Sequence, residues 1–185
     1  MEKMNDLMQL LRHDVMMLQS AEEQIITAMP AMIAKVKNPA LKQALEQHLR
    51  ITERQNDRIE QVRQMLGAND DSVKKYSGVL ATLMGGVKCK GMDGLIEEGQ
   101  KIMAENLSPE VMDAAIIGGC QKIEHFEIAS YGTARTFAEQ LGLTEVAQLL
   151  QQTLDEEYEA DQILTGLAVS QINQNAESGS FTSNR

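Results

Sequence analysis

The chain has little of several residue types, and each shortage narrows the fold. It contains no Trp, only 3 Pro and 3% aromatic residues. Long runs of Leu, Met, Ala, Glu and Gln dominate instead, and all of these are good helix formers. The composition and the length of 185 residues therefore predict one all-α domain.

Cysteine pairs, signal peptides and long hydrophobic runs are also missing. The two cysteines, Cys89 and Cys120, form no CxxC pair, which excludes a zinc-finger or thioredoxin-like motif and predicts two free thiols. The N-terminus has no basic segment followed by an apolar one, and no stretch of about 18 apolar residues occurs. We therefore expect no signal peptide, no membrane partner and a cytoplasmic location.

Positive charge is in short supply. Lys and Arg number 17 against 27 Asp and Glu, which gives a formal net charge of −10. A nucleic-acid partner needs a basic face, so the charge argues against one, and against DNA protection in particular. The excess of acids is compatible with attraction of cations.

Four long amphipathic helices are predicted from apolar residues that recur at spacings of three and four. Their expected ranges are about Lys3–Lys35, Pro39–Leu66, Ser108–Leu141 and Thr144–Ile172. Pro30 should kink the first helix or weaken its last turns. The connections within the first and the second pair are short, so each pair should be an antiparallel hairpin.

A long crossover of residues 68–107 joins the two hairpins. Short helices are predicted for Val79–Leu83 and Met92–Glu105. A long connection after the second helix indicates a ferritin-like antiparallel four-helix bundle, which would occupy residues 1–172. The Ser-, Asn- and Gly-rich residues 173–185 are expected to be a disordered tail.

Carboxylates fall on the inward stripe of all four long helices, judged by their spacing from apolar neighbours. They are Glu22; Glu53 with Asp57; Glu124 with Glu127; and Glu157 with Asp161. In each hairpin the acids lie at nearly equal distances from the turn, which predicts a single layer across the bundle. Buried carboxylates need positive partners. A pair of metal ions is the simplest partner; the alternative is pairing with Arg12, Arg54, Arg58 and Arg135.

Three further residues lie near this predicted layer. His48, one turn from Glu53, is the best histidine candidate for a metal ligand; the alternative is a hydrogen-bonded histidine of the bundle. His125 points about 100° away from its neighbouring glutamates and is expected at the surface or behind the ligands. Tyr131 is either a core tyrosine bonded to a carboxylate or a donor of a proton or electron.

Residues of about 5–170 resemble the YciF/YciE family of small bacterial ferritin-like proteins. The resemblance is carried by Ser20-Ala21-Glu22, by Glu46 to Leu49, by Met92 to Glu98 and above all by Gln121 to Thr133. The acid spacings also fit the rubrerythrin-like subset of ferritin-like proteins. The resemblance implies a role in bacterial stress responses and a homodimer.

The chain departs from the ferritin-like pattern because neither Glu-x-x-His motif is intact. Asn56 and Ala160 stand where the histidines would be. An oxygen-rich site would suit two Fe or Mn ions. We therefore expect a di-metal protein that reacts with O2 or H2O2 or oxidises Fe(II), with electrons supplied from outside the chain. The alternative is a non-enzymatic dimeric scaffold with a degenerate site.

Overall fold

The structure is a computed structural model that describes residues 4–67 and 88–181. The described chain is all-α. Its helices are α1 (Leu7–Lys35), α2 (Pro39–Met65), α3 (Lys90–Met103), α4 (Pro109–Gln140), α5 (Thr144–Leu167) and α6 (Asn173–Phe181), with a π-helical turn at Ala168–Ile172 between the last two.

The helix ends follow the capping residues of the sequence. Asn38 caps α2 by accepting from the backbone N–H groups of Ala40 and Leu41, and Ser108 caps α4 in the same manner. Pro39 and Pro109 occupy first turns, where the missing N–H costs nothing. α2 and α5 are flanked by Gly67 and Gly142, whose φ angles of 66° and 72° suit glycine.

The predicted end of α1 near Lys35 is confirmed, one expectation needs correction, and another falls outside the described residues. α1 continues through Pro30, which is exposed, as far as Lys35. The disordered tail predicted from residue 173 is wrong for α6, which packs on α4; tertiary contact there outweighs the poor helix propensity of its Asn, Ser and Gly. The predicted helix at Val79–Leu83 lies outside the described residues, whereas the one near Met92–Glu105 is present as α3.

The long helices pack in a ring: α1 contacts α2 and α4, and α5 contacts α2 and α4. α3 lies against α1 and α4. Asp113 of α4 is buried and ties the α1–α2 corner in place. Its two carboxylate oxygens accept from the backbone N–H groups of Lys37 and Asn38 at 2.9 and 2.8 Å.

The ring encloses two apolar clusters. The first cluster contains Ile25, Leu45, Cys120 and Leu164 among others. The second cluster contains Leu11, Leu18, Ile59 and Leu150 among others. On every long helix the residues of one cluster end before those of the other begin, and buried polar residues lie in this interval or directly beside it. The polar residues therefore form a layer between the clusters.

Candidate metal centre

The polar layer holds four buried glutamates that come from three helices. α1 contributes Glu22, α4 contributes Glu124 and Glu127, and α5 contributes Glu157; none is more than 2% exposed. Glu124 and Glu127 are three residues apart, so they project from the same face of α4. The spacing of the sequence therefore predicts correctly that these four acids face inward. We call them the carboxylate cluster.

α2 contributes neutral polar groups to the layer. His48, Thr52 and Gln55 are all buried. Thr52 satisfies its hydroxyl locally by donating to the His48 carbonyl oxygen at 3.1 Å. His48 and Gln55 reach the carboxylate cluster. Charged residues flank these three positions in the sequence. The three buried side chains themselves carry no formal charge when His48 is neutral.

His48 lies between two members of the carboxylate cluster. Its Nε2 atom is 3.3 Å from Oε1 of Glu124 and 3.9 Å from Oε2 of Glu157. The potential ligand atoms of these three residues all lie within 4.8 Å of one another. An imidazole nitrogen and two carboxylate oxygens at this separation are sufficiently close to share one metal ion.

Glu22 and Glu127 form the other part of the cluster. The hydroxyl of Tyr131 donates a hydrogen bond to Oε1 of Glu22. When protonated, the acids can also bond to each other, Glu22 with Glu127 and Glu124 with Glu157. When all are ionised, one oxygen of each has no hydrogen-bond partner among the described residues: Oε2 of Glu22, Glu124 and Glu157, and Oε1 of Glu127.

Burial raises the pKa of every acid in the cluster. Loss of solvation, followed by repulsion from Glu157, raises the pKa of Glu22 from 4.5 to about 8. Loss of solvation likewise raises the pKa of Glu124 to about 7. The pKa values of Glu127 and Glu157 are also well above 4.5, mainly through burial. The cluster therefore favours either bound protons or a bound cation.

Arginine does not supply the missing charge. Within residues 4–67 and 88–181, no Lys or Arg forms an ion pair with any of the four acids. Arg58 pairs with Glu156, while Arg12 donates to the Leu66 carbonyl oxygen. Arg54 donates a hydrogen bond to the carbonyl oxygen of Arg50, and Arg135 donates one to Oε1 of Gln151. The alternative of an arginine-paired acid layer is therefore wrong for the carboxylate cluster.

The remaining predicted ligands lie outside the cluster. Glu53 and Asp57 are exposed, so their predicted inward placement is wrong. Asp161 is partly buried, with a side chain 20% exposed. It accepts from Gln121 at 2.9 Å and lies 3.5 Å from Nε2 of His125, whose side chain is 66% exposed. His125 is therefore at the surface, as its position on α4 predicts.

Gln55 is the inward residue that the sequence analysis missed, and a register error on α2 explains the omission. The prediction followed Leu49 to Glu53 and left a gap before Ile59. The buried series is His48, Thr52, Gln55, Ile59 and Val62, which keeps the four-three spacing of a helix stripe without interruption. Counting back from Ile59 and Val62 in that spacing identifies Gln55.

The described helices define the chain as an all-α protein with a buried polar layer. Among the described residues, no helix combines the length and hydropathy needed to cross a bilayer. The family described as Domain of unknown function (DUF892) matches residues 6–85 and 80–177. The chain is also 42% identical to Protein YciF of Escherichia coli strain K12, over 85% of this chain and 87% of that protein.

Solved structures show the same relationship. The crystal structure of the E. coli stress protein YciF matches with a TM-score of 0.77 and 37% identity, covering 92% of this chain and 99% of that chain. YcfI from Rhodopseudomonas palustris matches with a TM-score of 0.74 and 33% identity, covering 89% and 96%. The chain belongs to the DUF892 family and is a YciF-like protein.

Proposed function

We propose that this YciF-like protein is a ferritin-like di-metal carboxylate protein. In this proposal the ring of α1, α2, α4 and α5 is an antiparallel four-helix bundle, and the long α2–α4 connection is its crossover. Ferritin-like proteins build their metal sites from carboxylates and histidines that project from facing helices. Three helices of this chain supply buried carboxylates, and α2 supplies His48.

The observation that carries the proposal is the set of buried carboxylates without a Lys or Arg partner in the described chain. Four ionised glutamates would be strongly unfavourable in this interior without compensating positive charge. Two divalent ions would match their formal charge. The Nε2 atom of His48, which faces Glu124 and Glu157, and the unpartnered oxygen on each glutamate leave donor atoms for ligation. The donor set fits the proposed metals.

The two parts of the cluster differ in their donors. His48, Glu124 and Glu157 would hold one ion with nitrogen and oxygen. Glu22 and Glu127 would hold the other with oxygen alone, and the Tyr131 hydroxyl would fix the Glu22 carboxylate. Oxygen ligands with one imidazole suit iron or manganese, whereas thiolate-rich sites suit softer metals.

Bound iron or manganese would supply redox chemistry toward O2 or H2O2, or the oxidation of Fe(II), as part of a stress response. The surrounding residues would control protons and water. The glutamates would release protons as metal binds, because their raised pKa values keep them protonated in its absence. Burial raises the pKa of Tyr131 well above 10, so its hydroxyl stays a donor to Glu22.

Metal content tests the proposal directly. The protein is purified without chelator, reconstituted separately with Fe(II) and Mn(II), desalted and measured by elemental mass spectrometry. We expect about two ions per chain, as the two parts of the cluster require. Glu127→Gln should lose binding, and Glu159→Gln is the matched control because Glu159 is exposed on α5. Less than about one ion per wild-type chain would reject the proposal.

A second candidate is a non-enzymatic, homodimeric stress-response scaffold. The observation that favours it is the ability of protonated Glu22 and Glu127, and of Glu124 and Glu157, to satisfy each other by hydrogen bonds. The absence of histidines at Asn56 and Ala160 agrees with it. A metal that binds only the folded state must raise the melting temperature. If neither Fe(II) nor Mn(II) raises it, and light scattering shows a dimer, the scaffold is favoured.

A further inference from the structure

A chain of hydrogen bonds leads from the protein surface to the carboxylate cluster through Gln55. The Gln55 side chain is 1% exposed. Its Nε2 atom donates to Oε1 of Glu157 and lies 3.1 Å from Oε2 of Glu156. Ionised carboxylates only accept hydrogen bonds. Glu156, which pairs with Arg58, and Glu157, when it is ionised, therefore require the nitrogen of the amide on this side, which fixes the orientation of Gln55.

The outer end of this chain is held by an ion pair. Arg58 contacts both carboxylate oxygens of Glu156, at 2.9 and 3.0 Å, and its Nη1 atom donates to the Thr153 hydroxyl at 2.6 Å. Such a two-point contact fixes geometry as well as charge. The side chains of Arg58 and Glu156 are 10% and 23% exposed, so the pair lies at the edge of the interior.

We propose that Gln55 is a positioning residue for the metal centre. Its amide occupies Oε1 of Glu157 and thereby presents Oε2 toward His48, while the Arg58–Glu156 pair holds the amide in the required orientation. This inference rests on the proposed function, because the orientation of the Glu157 carboxylate matters only if its Oε2 atom binds a metal ion. Neither Gln55 nor Glu156 would itself bind the metal ion.

The residue type at position 55 supports this role. A glutamate there would place a third carboxylate beside Glu156 and Glu157 and would repel both. An apolar residue would leave Oε1 of Glu157 buried without a donor, which is unfavourable. A glutamine donates to both acids and adds no charge. Residues that orient a ligand in this way typically change metal affinity about 10- to 100-fold when they are replaced.

Binding of Mn(II) to the full chain tests the inference. Free Mn(II) is measured by electron paramagnetic resonance with wild type, Gln55→Met, Glu156→Gln and the control Glu159→Gln. Methionine keeps the length of glutamine but cannot donate. We expect about tenfold weaker binding for Gln55→Met and a severalfold loss for Glu156→Gln. Glu159→Gln should bind as wild type does. Circular dichroism and urea unfolding establish whether each variant is folded.

A second measurement does not depend on metal. In the metal-free protein, hydrogen exchange of the Gln55 side-chain amide is followed by nuclear magnetic resonance. The amide should exchange slowly in wild type, and Glu156→Gln should accelerate the exchange. A purely structural role would lower the stability of the variants and leave their Mn(II) affinity unchanged.

The outcomes separate this inference from the proposed function. If wild type binds Mn(II) and folded Gln55→Met binds it equally tightly, the positioning role is overturned and the metal centre stands. If wild type binds neither Mn(II) nor Fe(II), the proposed function fails, and the positioning role fails with it because no ligand atom is needed. Rapid exchange of the wild-type amide would overturn the hydrogen-bond chain in either case.

Discussion

The carboxylate cluster and the two apolar clusters are equally well buried, yet they are stabilised in different ways. The apolar clusters are favoured by removal of their side chains from water, which does not depend on pH. The carboxylate cluster is favourable only when protons or cations neutralise it. Burial alone therefore does not show that a residue stabilises the fold. The buried apolar residues contribute to stability by packing, whereas the buried glutamates are suited to binding a ligand.

The largest expected effect is the pH dependence of the metal-free protein. Because burial raises the pKa of the cluster acids, the folded chain binds more protons than the unfolded chain above about pH 4.5. Their contribution to stability is complete below that pH and is lost as pH rises through about 7 and 8, where Glu124 and Glu22 ionise. We expect the free energy of unfolding to fall by on the order of 5 kcal/mol.

Urea unfolding of chelator-treated protein between about pH 5 and about pH 8 measures this fall. Excess Mn(II) should reverse it at the upper end, because the ion binds the ionised carboxylates of the folded state only. A metal-free protein that becomes more stable across this interval would contradict the assignment of raised pKa values to the cluster.

Truncation in an apolar cluster should have a large effect that is independent of pH. Leu45 is 1% exposed in the first cluster. Leu45→Ala removes buried methyl groups and leaves a cavity, so it should cost about 3 kcal/mol at both ends of the pH interval. The matched control is Val169→Ala, because Val169 is 64% exposed. Urea unfolding measures both variants, and a loss that varied with pH would argue against a purely apolar role.

Replacing a cluster acid with its amide should raise the stability of the metal-free protein, whereas truncation in an apolar cluster lowers it. Glu127→Gln resembles the protonated acid and removes one charge from the interior. Near pH 8 it should raise the stability of the metal-free chain by about 1–2 kcal/mol. The same change should abolish stabilisation by Mn(II). Thermal melting with and without Mn(II) measures both effects, and a variant that lost stability in both conditions would indicate a structural role for Glu127.

The smallest effect is expected from the exposed acids. Glu53→Gln and Asp57→Asn change residues that the sequence pattern placed in the metal layer and that the structure places at the surface. Each should change stability by less than about 0.5 kcal/mol and leave Mn(II) binding within about twofold of wild type. Elemental analysis and urea unfolding measure both properties. A loss of bound metal would show that α2 turns a different face inward.

Much of the fold follows from local signals in the sequence. Asn38-Pro39 and Ser108-Pro109 define helix starts, and Gly67 and Gly142 define the ends of α2 and α4, because capping depends on neighbouring residues. α6 was not predicted because no local signal in the sequence indicates it. Its sequence is a poor helix former, and its contact with α4 is tertiary.

The buried residues of the candidate site were predictable on three helices and only in part on α2, where His48 was identified and Gln55 was missed. Glu22, Glu124 and Glu157 interrupt strong apolar stripes, so their inward direction can be read from neighbours. The middle of α2 is almost entirely polar, and a shift of one or two residues changes which side chain faces inward. The hydrogen bonds of Gln55 with Glu156 and Glu157 join residues about 100 positions apart, which no local pattern reveals.

The contact of Asp113 with the α1–α2 corner has a consequence for the alignment of the two halves of the chain. A slide of one hairpin past the other by a single helical turn would displace its side chains by about 5.4 Å and separate Glu22 from Glu127. Ionised glutamates repel one another, so they cannot set that alignment themselves. Asp113 lies outside the carboxylate cluster and is bonded to two backbone N–H groups of the α1–α2 corner. It fixes the longitudinal register and lets mutually repelling groups remain at one height.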